Sequence, residues 1–252
     1  MTTIDARDVA PCSRIGCRYP PQNECKTTLT RFKNMNVNAK SAKWPNVEVV
    51  LSKADPKLGR VIKVVISKIG RQRISLSRSS PFEALVRAIV YQSVSGKAAA
   101  LIYKRLQQSV RGALTPKKVL SLPQARLRAV GLSNSKTSYI RNLAEWFDAN
   151  RKTAKNLPVL PDEEVVKVLT SIPGIGVWTA NVFLIFNLQR LDVVPASDLG
   201  IRRGVQLTYG LKSLPAPELI YQKALRWQPY RSIASMYLWN AVKLKINPSD
   251  LR

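Results

Sequence analysis

Leu169-Thr170-Ser171-Ile172-Pro173-Gly174-Ile175-Gly176-Val177-Trp178-Thr179-Ala180 reads as the end of one helix, a tight turn and the start of another. Pro173 stops the first helix, because the residue before a proline is pushed out of the helical region. Gly174 and Gly176 are expected to take positive φ and to bring bare backbone close to a ligand. Ile175 between them is expected to anchor the turn in the core. The amides that open the second helix then point outward with the positive end of the helix dipole behind them, which suits one phosphate. An ordinary helical hairpin with a C-cap glycine has the same start. The full Ile172-Pro173-Gly174-Ile175-Gly176 run, continued by Thr179, favours a hairpin that holds a nucleic-acid backbone.

Charge supports that choice. The 252 residues include 41 Lys and Arg, 15 Asp and Glu and no His, for a formal net charge of +26. A surplus of that size points to a polyanionic partner, and nucleic acid is the first expectation. The chain is 45% hydrophobic, enough for a core, so it is not a disordered basic tail. Without His there is no Ser-His-Asp triad, no Cys-His dyad and no His-ligated zinc or haem. No apolar run reaches the roughly 18–20 residues of a membrane span. Asp5 and Asp8 stand where a secretory leader would be apolar. An intracellular, DNA-associated protein of nucleoid or nucleus is expected, with no membrane partner. Cys12, Cys17 and Cys25 form an odd cluster, read as free thiols in a reducing compartment.

Residues 1–40 are rich in Pro, Asn, Thr and Cys, show no apolar period, and read as a loosely ordered arm. Residues 41–252 are dominated by helix signals and read as one mostly α domain. Asp55-Pro56 opens a helix with Leu58, Val61, Ile62, Val65 and Ile66 on one face. Ser80-Pro81-Phe82-Glu83 has the pattern of a capping box and starts a helix through about Tyr91. Further helices are expected at 96–108, after Pro116 and Pro123, and at 135–150, 161–171, 177–188, 199–209 and 230–245. Val64–Ile66 and Ile74-Ser75-Leu76 have strand-like composition, but nothing pairs with them convincingly.

Fifteen carboxylates permit inspection one by one. Asp5, Asp8, Glu24 and Asp250 lie near the ends. Asp55, Glu83, Asp162, Glu163 and Glu164 serve helix N-termini, and Glu145 and Asp148 face solvent. Glu48 and Glu218 have no polar company that suggests a site. Asp192 and Asp198 remain, on the loop that follows the second hairpin helix. Asp198 sits where a helix begins, so N-cap duty is its plain reading.

The hairpin, the Pro195-Ala196-Ser197-Asp198 loop some twenty residues later, the Pro81–Ile89 run followed by Gln92, and Arg226-Trp227-Gln228-Pro229-Tyr230-Arg231-Ser232 occur in order. Together they resemble the helix-hairpin-helix–Gly/Pro/Asp superfamily of base-excision DNA glycosylases, and within it the 3-methyladenine DNA glycosylase II branch. The likeness spans about Pro56 to Asn247. It implies an all-α fold of two helical lobes, with the hairpin at 169–180 and the active-site cleft between the lobes. It implies double-stranded DNA with damaged bases as the partner, a monomeric enzyme, no cofactor and no catalytic metal. Asp198 matches the catalytic aspartate, and Trp178 and Trp239 match aromatic positions of the base pocket, where an indole face attracts a cationic alkylated purine. Ile172, Pro173, Gly174, Ile175, Gly176 and Thr179 match the DNA-backbone hairpin. Gln92, Ser93, Val94 and Ser95 match the segment that plugs the gap left by a flipped base.

The sequence departs from the family in informative ways. Members that also cut the backbone carry a Lys at the position of Trp178, so the resemblance implies monofunctional hydrolysis. No cysteine follows Cys25, so a C-terminal iron–sulfur cluster is not expected. The family often has a bulky Leu where this chain has Ser93, which leaves the plug to Ser93 or Val94. There is no room for an extra N-terminal β-domain, as in compact members. Residues 161–200 carry Lys167 and Arg190 against Asp162, Glu163, Glu164, Asp192 and Asp198, a net −3 inside a basic chain. The implied reaction frees 3-methyladenine or 7-methylguanine and leaves an abasic site for downstream enzymes. The competing expectations are a non-catalytic binder of damaged or abasic DNA and a glycosylase for uracil or hypoxanthine.

Overall fold

A computed structural model of the protein describes residues 46–75, 79–110 and 112–251. The expected arm at 1–40, with Cys12, Cys17 and Cys25, lies outside the described residues, as does Leu76. Among the described residues the chain is helical and has no strand. Val64–Ile66 lie within a helix, and Ile74 and Ser75 follow it in irregular backbone.

Two helices come first, α1 (Val47–Ala54) and α2 (Pro56–Ile69). Asp55 starts α2 as expected, its carboxylate accepting the Leu58 N–H at 3.1 Å. Eight helices follow. They are α3 (Pro81–Tyr91), α4 (Gly96–Ser109), α5 (Pro116–Ser121), α6 (Gln124–Ala129), α7 (Asn134–Ala149), α8 (Arg151–Asn156), α9 (Asp162–Thr170) and α10 (Val177–Phe186). The last three are α11 (Leu199–Tyr209), α12 (Pro217–Ala224) and α13 (Arg231–Lys243). Ser80, Ser95, Thr115 and Ser133 each cap the helix that follows with a side-chain oxygen. Glu83 departs from the expected capping box. Its carboxylate turns to α4 and accepts from the Tyr103 hydroxyl (2.9 Å) and the Gln107 amide (3.2 Å).

The described helices bury two separate apolar clusters, and this divides the domain into two lobes. One core joins α3 to α10 through residues such as Leu85, Ile89, Leu106, Ile140, Leu143 and Phe183. The other joins α1 and α2 to α11–α13 through Leu51, Leu58, Val65, Ile201, Trp227 and Tyr237. Trp239 and Ile74 pack against both cores and mark the seam. Each fully buried large side chain contributes about 1.5–3 kcal/mol relative to exposure. Trp227 is buried in the second core, Tyr230 packs against it, and Trp146 packs against the first.

Glu48, which the sequence gave no partners that suggest a site, has structural ones within this second core. It is buried, and its Oε1 receives the Arg73 guanidinium and the Tyr237 hydroxyl, the latter at 2.9 Å. Burial pushes its carboxyl up, but the bonds from Arg73, the backbone and Tyr237 outweigh this and hold it below the usual 4.5. Burial, with Glu48 beside it, pushes the Tyr237 phenol up to about 12, so Tyr237 remains a donor at neutral pH. A lowered folded-state value means stability that is present above 4.5 and lost as pH falls through the lowered value. Glu48→Gln is expected to destabilise the protein by about 1–3 kcal/mol at neutral pH. The deficit against wild type should shrink as pH drops below 4.5, which urea unfolding across that range measures. A deficit independent of pH would contradict the ionic reading.

Candidate active site

The seam between the two cores holds a cavity of about 690 Å³. Its aromatic walls come from Tyr91 on α3, Trp178, Phe183 and Phe186 on α10, and Trp239 on α13. Trp178, Val182 and Phe186 recur every four residues, so one face of α10 lines the cavity. Phe186 stacks on Trp239, with centroids 5.7 Å apart and planes at 30°. Arg87 also lines the cavity, its guanidinium 5.4 Å over the Tyr91 ring. Asp198 is the only carboxylate on this lining among the described residues, and no lysine lines it.

Asp198 does its expected cap duty: Oδ1 accepts the Ile201 N–H at 2.9 Å. The same carboxylate receives both candidate pocket tryptophans. Trp239 donates its indole N–H to Oδ1 at 2.7 Å, and Trp178 donates to Oδ2 at 2.6 Å. The indoles therefore offer rings to the cavity and edges to the aspartate. Gly200 makes this approach possible: a Cβ there would sit 2.8 Å from Trp239 Cδ1 and 2.9 Å from Asp198 Oδ1. Gly204, one turn later, lets α11 lie against the α13 backbone at Leu238. The other loop carboxylate, Asp192, is spoken for. Arg231 grips it with two bonds, Nε to Oδ1 at 2.7 Å and Nη2 to Oδ2 at 3.0 Å. Asp162 pairs with Arg190 at 3.0 Å, and burial beside Asp192 and Glu163 keeps its carboxyl above the usual value.

The hairpin joins α9 to α10 through Ser171–Gly176. Gly174 takes the expected positive φ of +97°, but Gly176 does not: at φ −94° it is ordinary extended backbone capping α10. Gly176 matters instead through its openness, since a Cβ there would meet nothing within 4 Å. Ile172 and Ile175 are buried in the core below. Thr179 is buried too, which corrects its expected place on the backbone-binding surface. Its hydroxyl accepts the Gln92 amide at 2.9 Å. Ser171, Pro173, Gly176 and Val177 form the exposed part of the turn.

Gln92 likewise differs from a plug. It caps the end of α3, and its amide donates to Thr179 and, at 3.3 Å, to the Gly174 carbonyl. Ser95 caps α4, bonding the Ala98 N–H at 3.4 Å, and Val94 is half-buried against the core. Ser93 stands at the tip of this turn, exposed, at a positive φ of 53°. Gln92 therefore fastens the tip to the hairpin, so the two surfaces are held as one unit. The sequence reading missed Tyr91, Phe183, Phe186, Arg87 and Gly200. The four-residue spacing from Trp178 was the available signal for Phe186, and the small pair Gly200 and Gly204 was the signal for the close helix contact.

Known proteins share this fold. Residues 86–229 match the HhH-GPD superfamily base excision DNA repair protein family. The chain is 34% identical over 200 residues to DNA-3-methyladenine glycosylase 1 of Schizosaccharomyces pombe, covering 78% of this chain and 87% of that protein. A solved structure of the Schizosaccharomyces pombe 3-methyladenine DNA glycosylase in complex with abasic DNA superposes with a TM-score of 0.69 at 30% identity, covering 79% of this chain and 97% of the other. A DNA-3-methyladenine glycosidase from Bacillus halodurans superposes with a TM-score of 0.68 at 32% identity, covering 82% and 95%.

Proposed function

The chain belongs to the HhH-GPD superfamily of base excision DNA repair proteins, and we propose that it is a monofunctional DNA glycosylase that frees alkylated purines from double-stranded DNA. The hairpin amides hold the backbone beside the lesion, and the damaged nucleotide is flipped into the aromatic cavity. The C1′–N bond breaks, and its electron pair leaves with the base. Asp198 stabilises the positive charge that develops on the sugar. Water adds to C1′ and loses a proton, which leaves an abasic site for other repair enzymes.

The observation that carries this reading is a lone carboxylate in an aromatic cavity. Among the described residues, neither a second carboxylate nor a histidine lines it to protonate a departing base. A neutral base needs such help, whereas an N-alkylated purine already bears positive charge and departs neutral. Aromatic faces attract that cation before the bond breaks. With no lysine on the lining there is no amine for a Schiff base, which supports hydrolysis without strand cleavage. Arg87 offers donors to a 6-oxo group, which favours 7-methylguanine among the alkylated purines; hypoxanthine shares that group and is the second reading, although as a neutral base it would have to depart without an acid.

Duplex DNA treated with a methylating agent, and duplexes carrying hypoxanthine or uracil, would be incubated with the protein and the freed bases separated. Release of 3-methyladenine or 7-methylguanine is expected, with an intact strand until the abasic site is cleaved by alkali. Release of hypoxanthine or uracil alone would overturn the substrate class. Tight binding to abasic DNA with no base freed would make the protein a binder.

A further inference from the structure

The two tryptophans at the seam do more than line the cavity. Their indole N–H groups are directed at the two oxygens of one carboxylate, from helices that belong to different lobes. We propose that Trp178 and Trp239 are positioning residues that clamp the Asp198 carboxylate, and that their N–H groups matter to turnover separately from the stacking of their rings. This rests on the functional reading above and deepens it.

A carboxylate offers about four acceptor positions. Three are filled: Oδ1 takes Ile201 N–H and Trp239, and Oδ2 takes Trp178. The donors come from three directions, so the carboxylate can neither rotate nor swing out. One acceptor position is left, on Oδ2, and water activated by Asp198 has to bind there. The carboxylate thus acts mainly as a fixed negative charge, which needs no reorganisation as the sugar cation develops. The clamp also couples the lobes. Trp178 rides on α10 of one core, while Asp198 caps α11 and Trp239 sits on α13 of the other. A base entering the cavity meets the same side chains that hold the charge.

Gly200 is an independent sign that the contact is built in. Any side chain there would strike the Trp239 indole at Cδ1 (2.8 Å) and Nε1 (3.2 Å). Its φ is not in the left-handed region, so backbone freedom does not require the glycine; the indole does.

Trp178→Phe and Trp239→Phe keep an aromatic face but remove the N–H together with part of the indole ring, so the Asp198→Asn background is what separates the two losses. Gly200→Ala crowds both the Trp239 indole and the Asp198 carboxylate while keeping all three side chains present, and should lose rate as the Phe variants do. Single-turnover release of 7-methylguanine and affinity for a duplex with a tetrahydrofuran abasic analogue would be measured for each, alone and combined with Asp198→Asn. Each Phe variant is expected to lose about tenfold or more in rate, as for a hydrogen bond to a charged group. Affinity for the abasic duplex should stay within about twofold, because that duplex brings no base to stack in the cavity. In the Asp198→Asn background the same changes should cost nothing further in rate, since the charge they position is gone. Phe variants that release base at the wild-type rate would overturn the clamp while wild-type excision still upheld the glycosylase reading. The same loss in both backgrounds would also overturn it, by assigning the tryptophans to packing or stacking. Wild-type protein that frees no base would overturn the glycosylase reading and the clamp with it.

Discussion

Asp198→Asn is expected to lower single-turnover release of alkylated purines by about a thousandfold or more, while the protein folds and binds abasic DNA. The size follows from what is removed. A charge fixed beside a developing cation in a water-poor cavity is worth several kcal/mol, and each 1.36 kcal/mol is about tenfold in rate. The stability cost is expected to be small for a specific reason. Asn caps a helix as well as Asp does, and its side-chain oxygen can keep the Ile201 N–H that Oδ1 now accepts at 2.9 Å. Its amide nitrogen then meets the Trp178 N–H, donor against donor, where Oδ2 now accepts at 2.6 Å. A loss of about 1 kcal/mol is expected from that mismatch, readable by urea unfolding. Release at more than about a tenth of the wild-type rate, from variant protein shown to be folded, would remove Asp198 from the chemistry.

The sequence made the helices legible where side chains announce them. Asp55-Pro56, Ser80-Pro81 and Ser95-Gly96 each begin a helix at the residue expected, and each cap oxygen bonds the backbone three residues on. The helices it did not announce start weakly. Asn46 before α1 and Asn150 before α8 make no side-chain cap bond. The Pro217-Glu218 signal of α12 sits in a Leu214-Pro215-Ala216-Pro217 stretch that reads equally as loop. Asp198 was legible as a cap, and the family resemblance marked it as more. That Trp239 would reach it was not legible, because 41 residues separate them and the approach depends on a missing side chain at Gly200. Glu48 was opaque for the same reason: its partners lie 25 and 189 residues away. Local chemistry writes itself into neighbouring residues, whereas a polar contact between residues far apart in sequence leaves no local trace.

The hairpin offers a second large effect, and its two glycines should answer differently. Gly174→Ala is expected to destabilise the protein by about 2–5 kcal/mol and to weaken DNA binding and excision together. A Cβ at 174 would fall 2.1 Å from Cγ and 2.5 Å from Cβ of Tyr139. Tyr139 Cβ is fixed to the α7 backbone, so the ring base cannot step aside cheaply, and overpacking of this kind costs about 1–3 kcal/mol. The φ of +97° adds strain of about 1–2 kcal/mol for any L side chain. If the turn shifts, the Gly174 carbonyl moves with it and releases the Gln92 amide that fastens the Ser93 tip. Tyr139→Ala should then rescue only part of the loss, because it removes the ring but leaves the overlap with Cβ of residue 139 and the backbone strain. Gly176→Ala has neither problem: its φ is −94° and the space around it is open. Its stability should change by about 1 kcal/mol or less, the difference between Gly and Ala at an N-cap. Yet a methyl there stands in front of the α10 amides, so affinity for duplex DNA should fall while the unfolding midpoint holds. Gly176→Ala protein that binds duplex DNA as tightly as wild type would mean the phosphate does not approach this turn. Gly174→Ala protein as stable as wild type would mean that the hairpin and α7 are not packed as closely as the Tyr139 contact requires.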